Sequence, residues 1–209
     1  MFCAVLVVWI VLGIHPADRA NWLAESSLAF VLAPILYVLA ARFGSSKFSI
    51  TLITIYFILH SFGAHYNIGF VPLGDTIGKY LGTSRNEYDR LVHFFFGVLF
   101  FYPVKEVLLK TRVAVGTWAS LSSFFIIMTA SSLYEIMEWF GVRHLSPQAG
   151  YLFIGGTDPF DTQKDMAVAG VGALLMMALV ALLQTAVIRR FAQKNGSTLQ
   201  GLAQVAFKE

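Results

Sequence analysis

The chain has 209 residues, of which 57% are hydrophobic and only 13% charged. That balance excludes an ordinary water-soluble domain, which carries about twice that share of charge. A net charge of +3 does not make the chain a nucleic-acid binder either, because its basic residues stand singly or in pairs beside apolar runs rather than in a stripe.

In chain order, the first apolar run is Phe2–Ile14. It lacks a basic leading region and an Ala-x-Ala cleavage site, so it reads as a short span rather than a signal peptide. Cys3, the single cysteine, lies inside it and reads as a small packed residue. Further runs at Ser26–Phe43, Phe48–Ala64, Leu91–Leu109, Val113–Met137 and Met166–Ile188 approach the roughly 20 residues that a helix needs to cross the hydrocarbon. The expected architecture is therefore an all-α, polytopic transmembrane bundle of about six spans over residues 1–190, with a tail over 191–209 and membrane lipids as its surroundings.

Orientation follows from the basic residues. With both termini cytoplasmic, the inner segments carry Arg42, Lys47, Lys105, Lys110, Arg112, Arg189, Arg190, Lys194 and Lys208, and the inner loops are short and basic. Trp22, Trp118 and Trp139 fall near span ends, where indole rings favour the headgroup layer, whereas Trp9 does not. Two longer outer connections, at His65–Arg90 and Gly141–Lys164, contain apolar stretches such as Phe70–Leu73 and Tyr151–Ile154 and are expected to lie against the membrane.

Under this topology all five histidines, and every acid except Glu106 and Glu209, fall near the outer ends of spans or in the outer connections. His60 lies near the outer end of the third span. The segment NEYDRLVHF opens the fourth with Asp89 and His93 four residues apart, on one helix face about 40° from each other. SSLYEIMEW near the end of the fifth carries Glu135 and Glu138 three residues apart, on a face shared with Ser131, and the sixth opens with Asp161 and Asp165. Ionisable groups at membrane depth are costly unless they pair, reach water or bind an ion, so the cluster reads as a functional site. Imidazole with carboxylates suits a divalent metal (zinc, manganese or iron); the same groups suit proton transfer. The ligands are expected to be His60, His93, Asp161 and Asp165, and the catalytic groups Glu135, Glu138 and Asp89.

Several residues have plainer readings. Asp158 before Pro159 reads as a helix cap, and Asp161 as a first-turn acid favoured by the helix dipole. Asp89 is also placed to pair with Arg85 or Arg90, and Glu138, beside Trp139, to reach interfacial water. His65, about 140° around the helix from His60, joins the site only if that helix has already ended; His15 and His144 read as loop residues. Gly170, Gly172, Ala167, Ala169 and Ala173 form a small-residue surface for close helix packing, and Phe94–Phe96 with Phe100 and Phe101 read as apolar bulk.

With these segments in place, SRNEYDRLVHFFFG, SSLYEIMEWF, GTDPFDTQKDMAVAGVGA and HPADRANWLAE resemble the YjdF family of uncharacterised bacterial inner-membrane proteins. The resemblance implies a multi-pass inner-membrane protein and brings no activity with it. A more distant likeness is to VanZ-like membrane proteins, linked with glycopeptide resistance and the cell envelope. Their Asp-Lys-x-x-His-Phe reads here Asp89-Arg90-x-x-His93-Phe94, their Glu-x-x-Gln reads Glu135-x-x-Glu138, and the Asn of their last helix is Ala169. The leading functional expectation is a His/carboxylate site opening to the periplasmic side, working as a metal-dependent or acid/base enzyme on a lipid or cell-envelope substrate. The alternatives are a proton- or ion-coupled transporter and a non-catalytic envelope-interaction protein.

Overall fold

The computed structural model describes residues 1–144 and 158–195, and among them there are helices and no strands. In chain order these are α1 (Phe2–Ile14), α2 (Arg19–Arg42), α3 (Lys47–Tyr66), a 3-10 turn at Ile68–Phe70, α4 (Pro72–Leu81), α5 (Tyr88–Lys110), α6 (Gly116–His144) and α7 (Asp161–Asn195). Five of them, α2, α3, α5, α6 and α7, are long and apolar enough to cross a membrane, and α1 is a shorter apolar helix. At 13 residues and 1.5 Å per residue, α1 is only about 20 Å long. Tyr151–Ile154 and the tail over 196–209 lie outside the described residues.

Three helices start well before their apolar runs, whereas α6 starts three residues after its own. α2 begins at Arg19, α5 at Tyr88 and α7 at Asp161, because their first turns are polar segments stabilised by caps and pairing rather than by lipid. Asp18 caps α2 by accepting from the Asn21 N–H at 2.7 Å. Ser46 caps α3 by accepting from the Ser49 N–H at 3.2 Å, and is itself held by Glu106. Glu106, an acid of the opposite end of the bundle, thus has a structural role, completed by Lys110 at 3.0 Å.

Trp9, the tryptophan that does not fit an interfacial belt, is buried in the core against Phe30 and Phe57, with ring centroids 4.4 and 6.3 Å away. Cys3 is exposed on α1 rather than packed: the buried line of that helix runs through Val5 and Trp9, four residues apart.

The most extensive helix pair is α5 with α7, and it is built on small residues. A Cβ on Gly97 would collide with the Ala169 carbonyl and meet the Ala173 nitrogen at 2.7 Å, and one on Gly172 would collide with the Phe94 carbonyl. The backbones therefore touch, as small residues permit in the absence of a hydrophobic drive between helices in lipid. The two helices run parallel, and carrying the Gly97–Ala169 register back two turns brings Asp89 beside Asp161, whose carboxylates do lie together. Gly170 faces α6 instead, against Met128.

Gly97→Val should lower stability by about 1–3 kcal/mol, the usual cost of overpacking. Thermal unfolding of the detergent-solubilised protein measures this, and Ala181→Val at an exposed position of α7 supplies the contrast.

Candidate functional site

The connection between α3 and α5 is folded rather than loose. Pro72 occupies the first turn of α4, and the helix ends at Gly82, whose φ of 69° lets its N–H reach the carbonyls of Gly78 and Lys79. The chain then turns back on itself. Asn86 donates to the Val71 carbonyl at 2.8 Å and to Asp75 at 2.7 Å, and its side-chain oxygen accepts from the Tyr88 N–H at 3.1 Å. Gly74 leaves the room for that amide, since a Cβ there would overlap it. The Tyr88 hydroxyl donates to the Leu59 carbonyl at 2.8 Å and ties α5 to α3. Together these contacts fix where Arg85 and the first turn of α5 stand.

Arg85 and Arg90 enter the acids at the parallel N-terminal ends of α5 and α7. Arg85 contacts Asp161 directly and lies 3.4 Å from Asp89 and 4.0 Å from Asp165. Arg90 lies 3.0 Å from Glu87, 2.8 Å from Asp158, 3.4 Å from Asp161 and 3.7 Å from Asp165. Asp89 and Asp161 also sit in first helical turns, where the macrodipole favours an anion. The carboxylates of Asp89, Asp161 and Asp165 come within 4.8 Å of one another, and the guanidinium of Arg85 already serves as their cation.

Asp158 lies before α7 rather than immediately capping it. Its side chain accepts from the Phe160 N–H at 3.1 Å and also bridges Arg90 and Lys164. The Lys164 hydrogen bond, followed by that of Phe160, holds its carboxyl at about 2, well below the usual aspartate range.

A second group has no arginine or lysine in contact with it among the described residues. His93, Glu135 and Glu138 offer ligand atoms within 4.8 Å of one another, and His93 Nε2 lies 3.1 Å from Glu135 and 3.7 Å from Asp89. Glu135 is 3% exposed; Thr162 hydrogen-bonds its carboxylate, while its Oε1 has no hydrogen-bond donor among the described residues. Across both groups five buried carboxylates, those of Glu87, Asp89, Glu135, Asp161 and Asp165, face two guanidinium groups. Carboxylates outnumber the arginines on both sides, and Glu135 is the one of the five that no arginine contacts among the described residues, so protons or a cation must offset its charge.

This second group borders a cavity of about 500 Å³ lined by α2, α3, α5 and α6. Its wall is almost entirely apolar, with Tyr56, Phe57, Phe96 and Phe100 among the lining residues; its polar members are His60, Asp89, His93, Ser131 and Tyr134. The His93 and Tyr134 rings meet edge-to-face with centroids 5.8 Å apart.

The expected site residues thus gather near one end of the bundle but divide differently from the expectation. Asp161 and Asp165 go to the arginine network, His93 joins Glu135 and Glu138, and Asp89 stands between the two groups. His60 is buried on the cavity wall with Nδ1 unpartnered, and it belongs to neither three-ligand group. His65 is outside, since α3 continues through Tyr66 and its ring bonds the Leu12 carbonyl at 2.8 Å. His15 is exposed just beyond α1, and the side chain of His144 lies outside the described residues. Sequence reasoning did not single out Glu87, Asn86 or Tyr134; the SRNE tetrapeptide beside the Asp89/His93 pair carried a signal for the first two.

A family model described as predicted membrane protein (DUF2238) matches residues 1–186. The inner membrane protein YjdF of Escherichia coli K12 is 30% identical over 193 residues, which cover 91% of each chain. No solved structure matches the chain.

Replacing Arg85 with Met leaves Asp89 and Asp161 without their nearest cation, and should cost about 3–5 kcal/mol, as for other broken buried pairs; chemical denaturation in micelles measures it. Because the Asp158 carboxyl titrates lower in the folded chain, its contribution to stability is present above about pH 4 and is lost as pH falls toward 2. Melting curves of the wild type and Asp158→Asn should accordingly converge across that acid range.

Proposed function

The chain belongs to the DUF2238 family of predicted membrane proteins, and on that premise we propose that it is an inner-membrane enzyme doing acid–base chemistry on a lipid or cell-envelope substrate. The observation that carries this reading is the uncompensated pair of His93 and Glu135, 3.1 Å apart, beside an apolar cavity that can hold the lipid part of such a substrate. His93 Nε2 takes a proton from the reacting group and gives it back, and Glu135 holds the imidazole and balances its charge. Asp89, 3.7 Å from the same nitrogen, links this proton traffic to the arginine network.

The same side chains support a second reading, in which His93, Glu135 and Glu138 bind one divalent cation, zinc, manganese or iron, and His93 is a ligand in place of a proton carrier. The mixed nitrogen and oxygen donor set and the surplus of buried carboxylates both suit it. A cation bound there supplies Lewis acidity and a more acidic bound water. In this reading the group opens to the periplasmic side and both termini are cytoplasmic, which the basic inner loops support. Helix joining by charge accounts for Asp158 and Asp161, both fully engaged by arginines, but leaves His93 and Glu135 unexplained.

Protein purified without chelator should hold one divalent ion per chain, and His93→Ala should lose it while Asp161→Asn keeps it. Elemental analysis reads this directly; a metal-free wild type whose melting temperature ignores added zinc, manganese and iron counts against the cation. Proteoliposomes supplied with envelope lipid extract should form a new lipid product, detected by mass spectrometry, and Glu135→Gln should slow its formation by about 10²–10⁴-fold. Equal rates would contradict the acid–base role.

A further inference from the structure

The cavity is long. Along α5 its lining runs from Asp89 through Val92, His93, Phe96 and Phe100 to Val104, a rise of fifteen residues and hence about 22 Å. A cavity of about 500 Å³ along that course suits hydrocarbon laid lengthwise against α5. The polar lining residues occupy one end of this course, where α5 begins and α6 ends, and the remainder is apolar.

Its sides are not closed. α2 packs on α1 and α3, and α6 packs on α5 and α7, so α2 and α6 stand as two walls over a floor made by α3 and α5. Leu32 on the first wall and Ile126, Leu133 and Met137 on the second line the cavity and are also 39–61% exposed on the outer surface. In a bundle surrounded by lipid, a slot edged by such residues opens sideways to hydrocarbon rather than to water.

At the polar end, His60 Nδ1, Asp89 Oδ1 and Ser131 Oγ are buried without a hydrogen-bond partner among the described residues, and all three residues line the cavity. They come from α3, α5 and α6. Unpartnered polar atoms in an apolar setting are costly, and three of them converging from different helices make a receptor for a head group with several hydrogen-bonding positions. The surplus of carboxylates nearby disfavours an anionic head.

We infer that the slot between α2 and α6 takes an amphiphile laterally from the bilayer, a hydrocarbon chain lying along α5 and its uncharged, hydroxyl-bearing head at His60, Asp89 and Ser131. This names the substrate class and rests on the proposed function for the chemistry at the polar end. A phosphodiester head carries the negative charge that the nearby carboxylates disfavour.

The test uses the full chain in phosphatidylcholine nanodiscs with a spin-labelled monoacylglycerol, and a spin-labelled diacyl phosphatidylcholine as comparison. The wild type should hold an immobilised monoacyl component that unlabelled monooleoylglycerol displaces, and should hold little of the diacyl probe. Ala130→Trp fills the slot from α6 and should weaken the monoacyl component at least tenfold. Leu36→Trp makes the same test from the opposite wall, and decides alone if the first variant does not fold. Unchanged immobilisation in the folded tryptophan variants, or equal uptake of the diacyl probe, overturns the inference. Because the readout needs neither metal nor turnover, a metal-free wild type would sink the cation assignment and leave the slot standing.

Discussion

Two guanidinium groups inserted among carboxylates at the joined N-terminal ends of α5 and α7 are the interaction on which that end of the bundle depends. Charges at this depth are tolerated only when paired, and Arg85 and Arg90 reach Asp89, Asp158, Asp161 and Asp165 between them. The network is possible only because the backbones of α5 and α7 touch at Gly97, Ala169 and Gly172. It is also possible only because the Asn86 clamp brings Arg85 back over the ends of the helices. Small-residue packing, a folded connection and ion pairing are therefore one device seen at three scales.

That device leaves a remainder. The arginines contact the acids of α5 and α7, four buried carboxylates to two guanidinium groups, whereas Glu135 on α6 meets His93 and no arginine among the described residues. An ordinary structural network ends with its charges matched; this one stops short at the wall of an apolar cavity. Retained strain or unmatched charge at such a place is a common cost of a working site. The pairing of a half that arginines contact with a half that none contacts among the described residues gives the cluster its functional reading.

Much of this was legible in the amino-acid sequence. The apolar runs locate the helical bundle, and i, i+3 and i, i+4 spacing puts Asp89 with His93, Glu135 with Glu138 and Asp161 with Asp165 on shared faces. The family segments are contiguous and so readable. What spacing cannot give is the partition between the pairs, because it depends on which helices touch: the register of Gly97 against Ala169 sends Asp161 and Asp165 to arginine rather than to His60. Helix starts were hidden for a related reason. Arg19, Tyr88 and Asp161 begin their helices in polar sequence, where capping and pairing take over from hydropathy. The cavity was invisible, since its lining residues look like any other membrane-spanning surface until α2 and α6 are seen to stand apart.

The division of the cluster is open to one direct comparison: the melting temperatures of Glu135→Gln and Asp161→Asn in the same detergent. Both changes neutralise a buried carboxylate without altering its shape. Asp161→Asn removes a matched charge and should melt several degrees below the wild type, whereas Glu135→Gln removes an unmatched one and should melt at or above it. A Glu135→Gln protein that loses as much stability as Asp161→Asn would show that its charge is as structural as the others, and would contradict the account.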